Sequence, residues 1–315
     1  MCWEQFRRIK NRDVLKSTGD REPIRKVLKP ASLEKVPSAR TVLLPSESVA
    51  TEDDEARFFS SLRLKNGTYK ITRSHRLDNL NDLVNQLVPR RHLKVMDVAV
   101  SSGTTTLEWI QALHKAGIDH EMTAGDSFMF GFIVSIGNNL HILTDKSGHP
   151  LQFEVFRETL PIPLPGKRAL LKNLVPLLLG YGGLNLLFNT MGTPRSSNIP
   201  GLVCRPVTLL SQRLKQQPNI RLIEDDILAG NAFSAAFDIV RAANILNRDY
   251  FDEVTLKLML ANLRARLTRN GLLVVCKTDN DGTNRASVFA LRDGGPLEVV
   301  ARLGAGSDIE DLAIR

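Results

Sequence analysis

The sequence predicts an α/β fold. A mostly parallel seven-stranded sheet carries helices on both faces, ends in a C-terminal antiparallel hairpin, and takes a long insertion after its second strand. Three stretches predict this. Residues 94–109 read as strand, small-residue turn and helix, the opening unit of a nucleotide-binding α/β domain. Residues 272–277 are apolar up to Lys277, as a strand buried on both faces requires. Ser287–Leu291 and Leu297–Leu303 flank the turn Asp293-Gly294-Gly295 and read as a terminal hairpin.

Composition sets the class. Of the 315 residues, 43% are hydrophobic and 24% charged, which places the chain among soluble globular proteins. Cys2, Cys204 and Cys276 are too scattered for a disulfide framework or a metal site, and a reducing, cytoplasmic compartment fits them. The first residues lack the apolar core of a secretory signal. Residues 1–45 hold eleven Lys or Arg against five Asp or Glu. Such a segment suits an anionic partner, nucleic acid or a membrane surface, or a solvated extension. Aromatic interleaving for base stacking is absent, which disfavours nucleic acid.

In chain order, residues 1–56 read as a basic extension with few long-range contacts, followed by the domain at 57–315. Its acidic run Glu52–Glu55 belongs to that extension, and residues 57–75 are ambiguous between short helix and hairpin. Leu77, Leu80, Val84 and Leu87 recur at helical spacing up to Pro89. Strand one spans 94–99, and the next helix runs over about 104–116, with Thr105 as cap and Glu108 three residues on. Strand two ends at Asp126.

The insertion covers 130–203. Its first half reads as a β-meander over 132–136, 140–144 and 151–156. Its second half is rich in proline (Pro161, Pro163, Pro165), then apolar from Ala169 to Phe188, with Lys172, Pro176, Gly180 and Gly182 interrupting any membrane span. This stretch suits a lid over an apolar substrate, an interfacial anchor, or the insertion's own packing surface. A helix at Pro206–Gln216, strand three at 219–224, strand four at 237–246, an amphipathic helix at 253–268 ended by Asn270-Gly271, and strand five at 272–277 follow.

The turn Asp97-Val-Ala99-Val-Ser101-Ser102-Gly103 resembles the first motif of the class I, Rossmann-like S-adenosylmethionine-dependent methyltransferases. In that family an acid near the end of strand one precedes Gly-x-Gly-x-Gly. Here Ala99, Ser101 and Gly103 stand at the three glycine positions. The resemblance covers 77–128 and 205–303 and includes the closing hairpin. It implies a cofactor site of Asp97, Ala99, Ser101, Ser102, Gly103 and Thr105, with Asp126 on the cofactor's ribose and Asp226 or Asp225 beside the adenine. It further implies that Arg241, Asn244 and Asn247, at the exit of strand four, face the transferred methyl group, with Arg241 also toward the cofactor. Tyr250 is a candidate base or substrate contact.

In such transfers the sulfonium leaving group departs neutral, so positioning dominates and a conspicuous catalytic constellation is not required. The implied acceptor is a small or lipophilic molecule, with peripheral membrane contact through the insertion as a further expectation. An RNA or protein acceptor held by the basic segment, or a non-catalytic binding protein that keeps the fold, are the rival readings. The sequence lacks a phosphate-cradling Gly-x-x-x-x-Gly-Lys loop, a Gly-x-Ser-x-Gly elbow, the Gly-x-Gly-x-x-Gly dinucleotide fingerprint and zinc spacing among its six histidines.

Overall fold

The computed structural model of the chain describes residues 35–314, apart from 45–49, 66, 68, 71–72, 89–91, 163–170, 172, 192–200, 231–232, 280 and 293–294. The basic segment up to residue 34, Pro89, and Pro163 and Pro165 lie outside the described residues. The elements below belong to one unit, Val36–Arg315.

In chain order they are α1 (Ala39–Leu43), α2 (Glu52–Ser61), α3 (Asp78–Leu87), β1 (Leu93–Val98), α4 (Thr104–Lys115), β2 (His120–Asp126), β3 (Phe130–Ile136), β4 (Leu140–Asp145), β5 (Pro150–Val155) and β6 (Glu158–Pro161). Then come α5 (Leu174–Met191), β7 (Leu202–Thr208), α6 (Gln212–Lys215), β8 (Ile220–Glu224), β9 (Phe237–Ala243), α7 (Glu253–Ala265), β10 (Leu267–Thr278), β11 (Asn284–Leu291), β12 (Leu297–Leu303) and α8 (Glu310–Ala313).

The main sheet has seven strands in the order β12-β11-β10-β9-β1-β2-β8. β8, β2, β1, β9 and β10 are parallel, and β11 and β12 add antiparallel at one edge. This is the predicted sheet with its closing hairpin. Alternate residues of the strands point to opposite faces. On one face Val95, Ile239, Val274 and Val288 pack with Leu80 and Val84 of α3 and Trp109 and Leu113 of α4. On the other, Met96, Val240, Val275 and Phe289 pack with Leu256, Leu260 and Leu263 of α7 and Leu312 of α8. Strand order reverses between β1 and β9. In open α/β sheets ligands bind beyond the carboxyl ends of the strands at such a reversal.

The insertion builds a second, antiparallel sheet in the order β6-β5-β4-β3-β7. The meander is where the alternation predicts it, but the expected helix at Pro206–Gln216 is a correction. Residues up to Thr208 are strand β7, and only Gln212–Lys215 is helical. Pro206 is tolerated because β7 is an edge strand, where a missing N–H costs little. The amphipathic helix likewise stops at Ala265 rather than 268, and Leu267 already pairs with Phe237 at the start of β10.

A second correction concerns the extension. Thr51 and Asp54 form a reciprocal capping box, and Glu52–Glu55 occupy the first turn of α2, where the helix dipole favours acids. The acidic cluster is thus a helix start. Phe58 and Phe59 of α2 and Val42 of α1 pack on Ile133, Leu143 and Leu151 of the insertion sheet. Arg40 forks onto Glu154, and Gln152 accepts from Ala39 N–H at 2.8 Å. The described residues from Val36 to Ser61 therefore belong to the same unit as the sheets.

Candidate active site

The turn after β1 sets the site. Ala99, Ser101 and Gly103 all have left-handed φ, +56°, +59° and +85°. The three positions that correspond to the family's glycines thus keep a glycine-like backbone although two carry side chains. An L-residue there costs about 1–2 kcal/mol. The alternation folds the chain back on itself: Val100 N–H reaches Gly125 O, and Gly103 N–H returns to Val100 O. Gly103, not Thr105, is the N-cap of α4, and no side chain caps that end. Glu108 instead accepts from His75 N–H at 2.7 Å, and burial pushes its carboxyl above the usual range.

Asp126, at the end of β2, faces this turn. Its carboxylate accepts from Ser101 N–H and Phe128 N–H, each at 2.8 Å. The ammonium of Lys70 lies 3.5 Å from it and donates to Ser101 O at 2.9 Å. Lys70 is 1% exposed. Burial pulls its pKa down, and the Asp126 carboxylate offsets this only in part. Nothing in the sequence singles out Lys70, which sits in the stretch that is ambiguous by pattern.

Because folding lowers the Lys70 pKa, the unfolded chain holds that proton more tightly. The burial cost is fully present below the folded pKa and disappears as pH rises toward 10.5, the ordinary value. We therefore expect the wild type to gain stability relative to Lys70→Met as pH climbs through that window. Urea denaturation of both proteins at a series of alkaline pH values checks this, and parallel curves would refute it.

Three of the expected ligands turn inward, which is a correction. Asp97 is 2% exposed and Arg241 is 1% exposed. The guanidinium forks onto the Asp97 carboxylate at 3.0 and 2.6 Å, and Thr106 Oγ1 donates to the same carboxylate at 2.7 Å. Arg241 also donates to Asn81 Oδ1 and Thr105 O, and it stacks 4.2 Å over the Trp109 ring. The two residues are register partners on adjacent strands, so their side chains share the α3–α4 face. The Arg241 side chain is therefore committed to these bonds on the α3–α4 face. Asp225 makes a second such pair, receiving Arg266 at 2.6 and 3.1 Å, and its Cβ lies close over Gly125. Asp226 is exposed and holds its own turn through Leu228 N–H.

The exit of β9 does reach the carboxyl edge. Asn244 has φ +59° and ties β9 to β10: it accepts from Thr278 N–H at 2.6 Å and donates to Thr278 Oγ1 at 3.2 Å. Asn247 is buried and accepts from Lys277 Nζ and Asp249 N–H. Lys277 also meets Asp249 and Asp308 at 3.0 and 3.1 Å. Burial lowers its pKa, the two carboxylates raise it more, and the net shift is upward. Tyr250 is 69% exposed.

Two walls of the mouth were not foreseen. Leu214 of α6 closes on Gly103, where a Cβ would come within 2.3 Å of its Cδ2, and Ser211 N–H donates to Ser102 O. Buried Glu55 holds that segment through Ser211 Oγ, Gln212 N–H and Arg213. Ser102 Oγ meets Thr104 Oγ1 at 3.0 Å. On the other side stands Arg76, whose carbonyl accepts from Asn284 at the end of the β10–β11 turn. Its Nε has no hydrogen-bond partner among the described residues. Burial is the largest cause of its lowered pKa, and neighbouring Arg241 adds to it.

The donor chemistry of this mouth fits the cofactor that the resemblance implies. The left-handed turn and the uncapped start of α4 suit a close-lying ligand, and the Asp126 carboxylate retains acceptor capacity beyond its two N–H donors. The Arg76 guanidinium suits a carboxylate. Among the described residues no group of His, Cys, Asp and Glu is arranged to hold a metal ion. His141 and His149, the insertion's histidines, have pKa values lowered chiefly by burial, and His141 bonds Ser135 Oγ within the second sheet.

No protein-family model matches the sequence, and no curated protein is significantly similar to it. Solved structures similar to it include the CMeT domain of the citrinin polyketide synthase (12% identity, TM-score 0.33, covering 64% of this chain and 34% of that one). A TehB-like SAM-dependent methyltransferase from Corynebacterium glutamicum is 14% identical, with a TM-score of 0.30 over 64% of this chain and 62% of that one. The [4+2]-cyclase SpnF is 11% identical, with a TM-score of 0.29 over 64% and 44%. The chain spans less than two thirds of the length of each. Its own strand order, five parallel strands whose order reverses between β1 and β9 and an antiparallel hairpin at one edge, identifies the fold as Rossmann-like α/β.

Proposed function

We propose that the chain transfers a methyl group from S-adenosylmethionine to a small or lipophilic acceptor. The observation that carries this reading is the run of left-handed residues at 99, 101 and 103, set between β1 and α4 beside the reversal of strand order. Bound there, the cofactor supplies an electrophilic sulfonium methyl group. The turn and the first residues of α4 hold it, Asp126 accepts from a ribose hydroxyl, and Arg76 receives a carboxylate. Lys70 and Leu214 close the mouth in this conformation, so binding requires both side chains to yield. The insertion begins four residues after Asp126, and its apolar composition supports an apolar acceptor.

One observation favours a second reading, a binding protein that keeps the fold without transfer. Asp97, Asp225, Arg241, Asn244 and Asn247 are all engaged in structural bonds. A transfer assay separates the two. The purified protein is incubated with methyl-labelled S-adenosylmethionine and a cell extract, which is then divided into solvent-soluble, RNA and protein fractions. We expect label in the solvent-soluble fraction. Label confined to RNA or protein would replace the proposed acceptor by one held through the basic segment, and no label in any fraction would favour the binding protein.

A further inference from the structure

Helix α5 presents two apolar faces, and the second sheet covers only one. Leu177, Leu184 and Leu187 point into that sheet and are at most 3% exposed. Gly180 and Gly183 let the helix backbone close on Phe153, Ile142 and Ile136, where added Cβ atoms would come within 2.7–3.0 Å. The inner face is therefore fixed, and the helix is not free to roll. The outer face carries Leu174, Val175, Leu178, Leu179, Tyr181 and Leu186, each 43–65% exposed. The 18-residue helix holds no acidic or basic residue. A contiguous apolar surface of this kind marks an interaction site.

We propose that this face docks on an anionic lipid bilayer, with the helix lying in the interface. The charge pattern around it selects that occupant. Lys167, Arg168 and Lys172 lead into the helix and Arg195 follows it, while no Asp or Glu stands between Glu158 and Glu224. Apolar insertion flanked by cations suits a surface with anionic headgroups above hydrocarbon. A second copy of this chain is the poorer fit, because pairing the helices in either direction would bring like-charged flanks together. Among the described residues no helix is long and apolar enough to cross a membrane, so the helix lies on the bilayer rather than spanning it. Tyr181 stands at the rim of this face, its ring 5.3 Å from that of Phe153, and its amphipathic character suits the headgroup level.

The test uses the full chain, sedimented with phosphatidylcholine–phosphatidylserine vesicles and with phosphatidylcholine vesicles. It needs no cofactor, so its outcome is separate from that of the methyl-transfer reading. We expect binding to the mixed vesicles that weakens with salt and is far weaker on phosphatidylcholine alone. Leu178→Gln with Leu179→Gln, both outward and uncharged, should lower the affinity about tenfold or more, the effect of removing two apolar side chains from the hydrocarbon boundary. Val254→Gln, at an exposed apolar position on α7, should bind as the wild type does. Circular dichroism and the melting temperature confirm that the variants fold. Absence of binding to mixed vesicles, or equal binding by the double variant, would overturn the proposal. So would self-association in light scattering that the double variant abolishes without any vesicle binding.

Discussion

Asp97→Ala is expected to lower the stability of the protein by about 3–5 kcal/mol, because it leaves the Arg241 guanidinium charged and unpaired in the core. Arg241 is 1% exposed, and Asp97, which it meets at 2.6 and 3.0 Å, is the one carboxylate among its hydrogen-bond partners in the described residues. The remaining acceptors, Asn81 Oδ1 and Thr105 O, are neutral. Arg241→Met strands the opposite charge and should cost a similar amount. The double variant Asp97→Leu with Arg241→Met should recover much of the loss, since a buried pair is often replaceable by well-packed apolar groups. Urea denaturation of the wild type, Asp97→Leu, Arg241→Met and the double variant forms a double-mutant cycle. A single variant as stable as the wild type would remove the pair from the core of the account. The same result bears on function, because loss of cofactor binding in Asp97→Ala would then report a disturbed β1–β9 junction rather than a lost ligand contact.

Gly103→Val should abolish measurable cofactor binding and cost about 1–3 kcal/mol of stability. The position has φ +85°, a region that β-branched residues avoid, and a Cβ would stand 2.3 Å from Leu214 Cδ2. Relief requires the end of a flexible leucine to move, which is feasible, and a change of backbone angle, which is not. The change would re-aim the first turn of α4 and the Ser102 carbonyl that receives Ser211 N–H. Ala99→Gly and Ser101→Gly make the contrast. They relieve left-handed strain at φ +56° and +59° and should leave stability within about 1 kcal/mol of the wild type. Melting curves together with cofactor titration check both arms. A Gly103→Val protein that still binds would show that the turn does not shape the site.

These effects were unequally legible in the sequence. The frame was readable because it depends on local pattern. The small residues after Val98, the apolar run of β10 and the turn before β12 each specify their element without reference to distant parts of the chain. The left-handed turn was readable only through resemblance, since alanine and serine at 99 and 101 do not announce positive φ. The role of Asp97 was not readable. Its partner lies 144 residues away, and which face a strand residue takes follows from register with β9, not from its neighbours. Lys70 and Leu214 were hidden for the same reason, because both come from connections that cross the carboxyl edge. Two misreadings had local remedies. Thr51 and Asp54 already spell a capping box, so the acidic cluster could have been read as a helix start. Pro206 could have been placed on an edge strand.

The central claim is that the mouth at the β1–β9 reversal binds S-adenosylmethionine, and calorimetric titration of the wild type and of Asp126→Ala tests it most directly. Asp126 lies at the turn outside the two arginine pairs, and because it also faces buried Lys70 at 3.5 Å, melting curves must first show that the variant is folded. The account predicts a saturable heat with the wild type, reproduced with S-adenosylhomocysteine, and an affinity about tenfold or more lower in Asp126→Ala, the effect of losing a charged hydrogen-bond acceptor. No heat from the wild type at millimolar cofactor, or equal affinity in the variant, would contradict it.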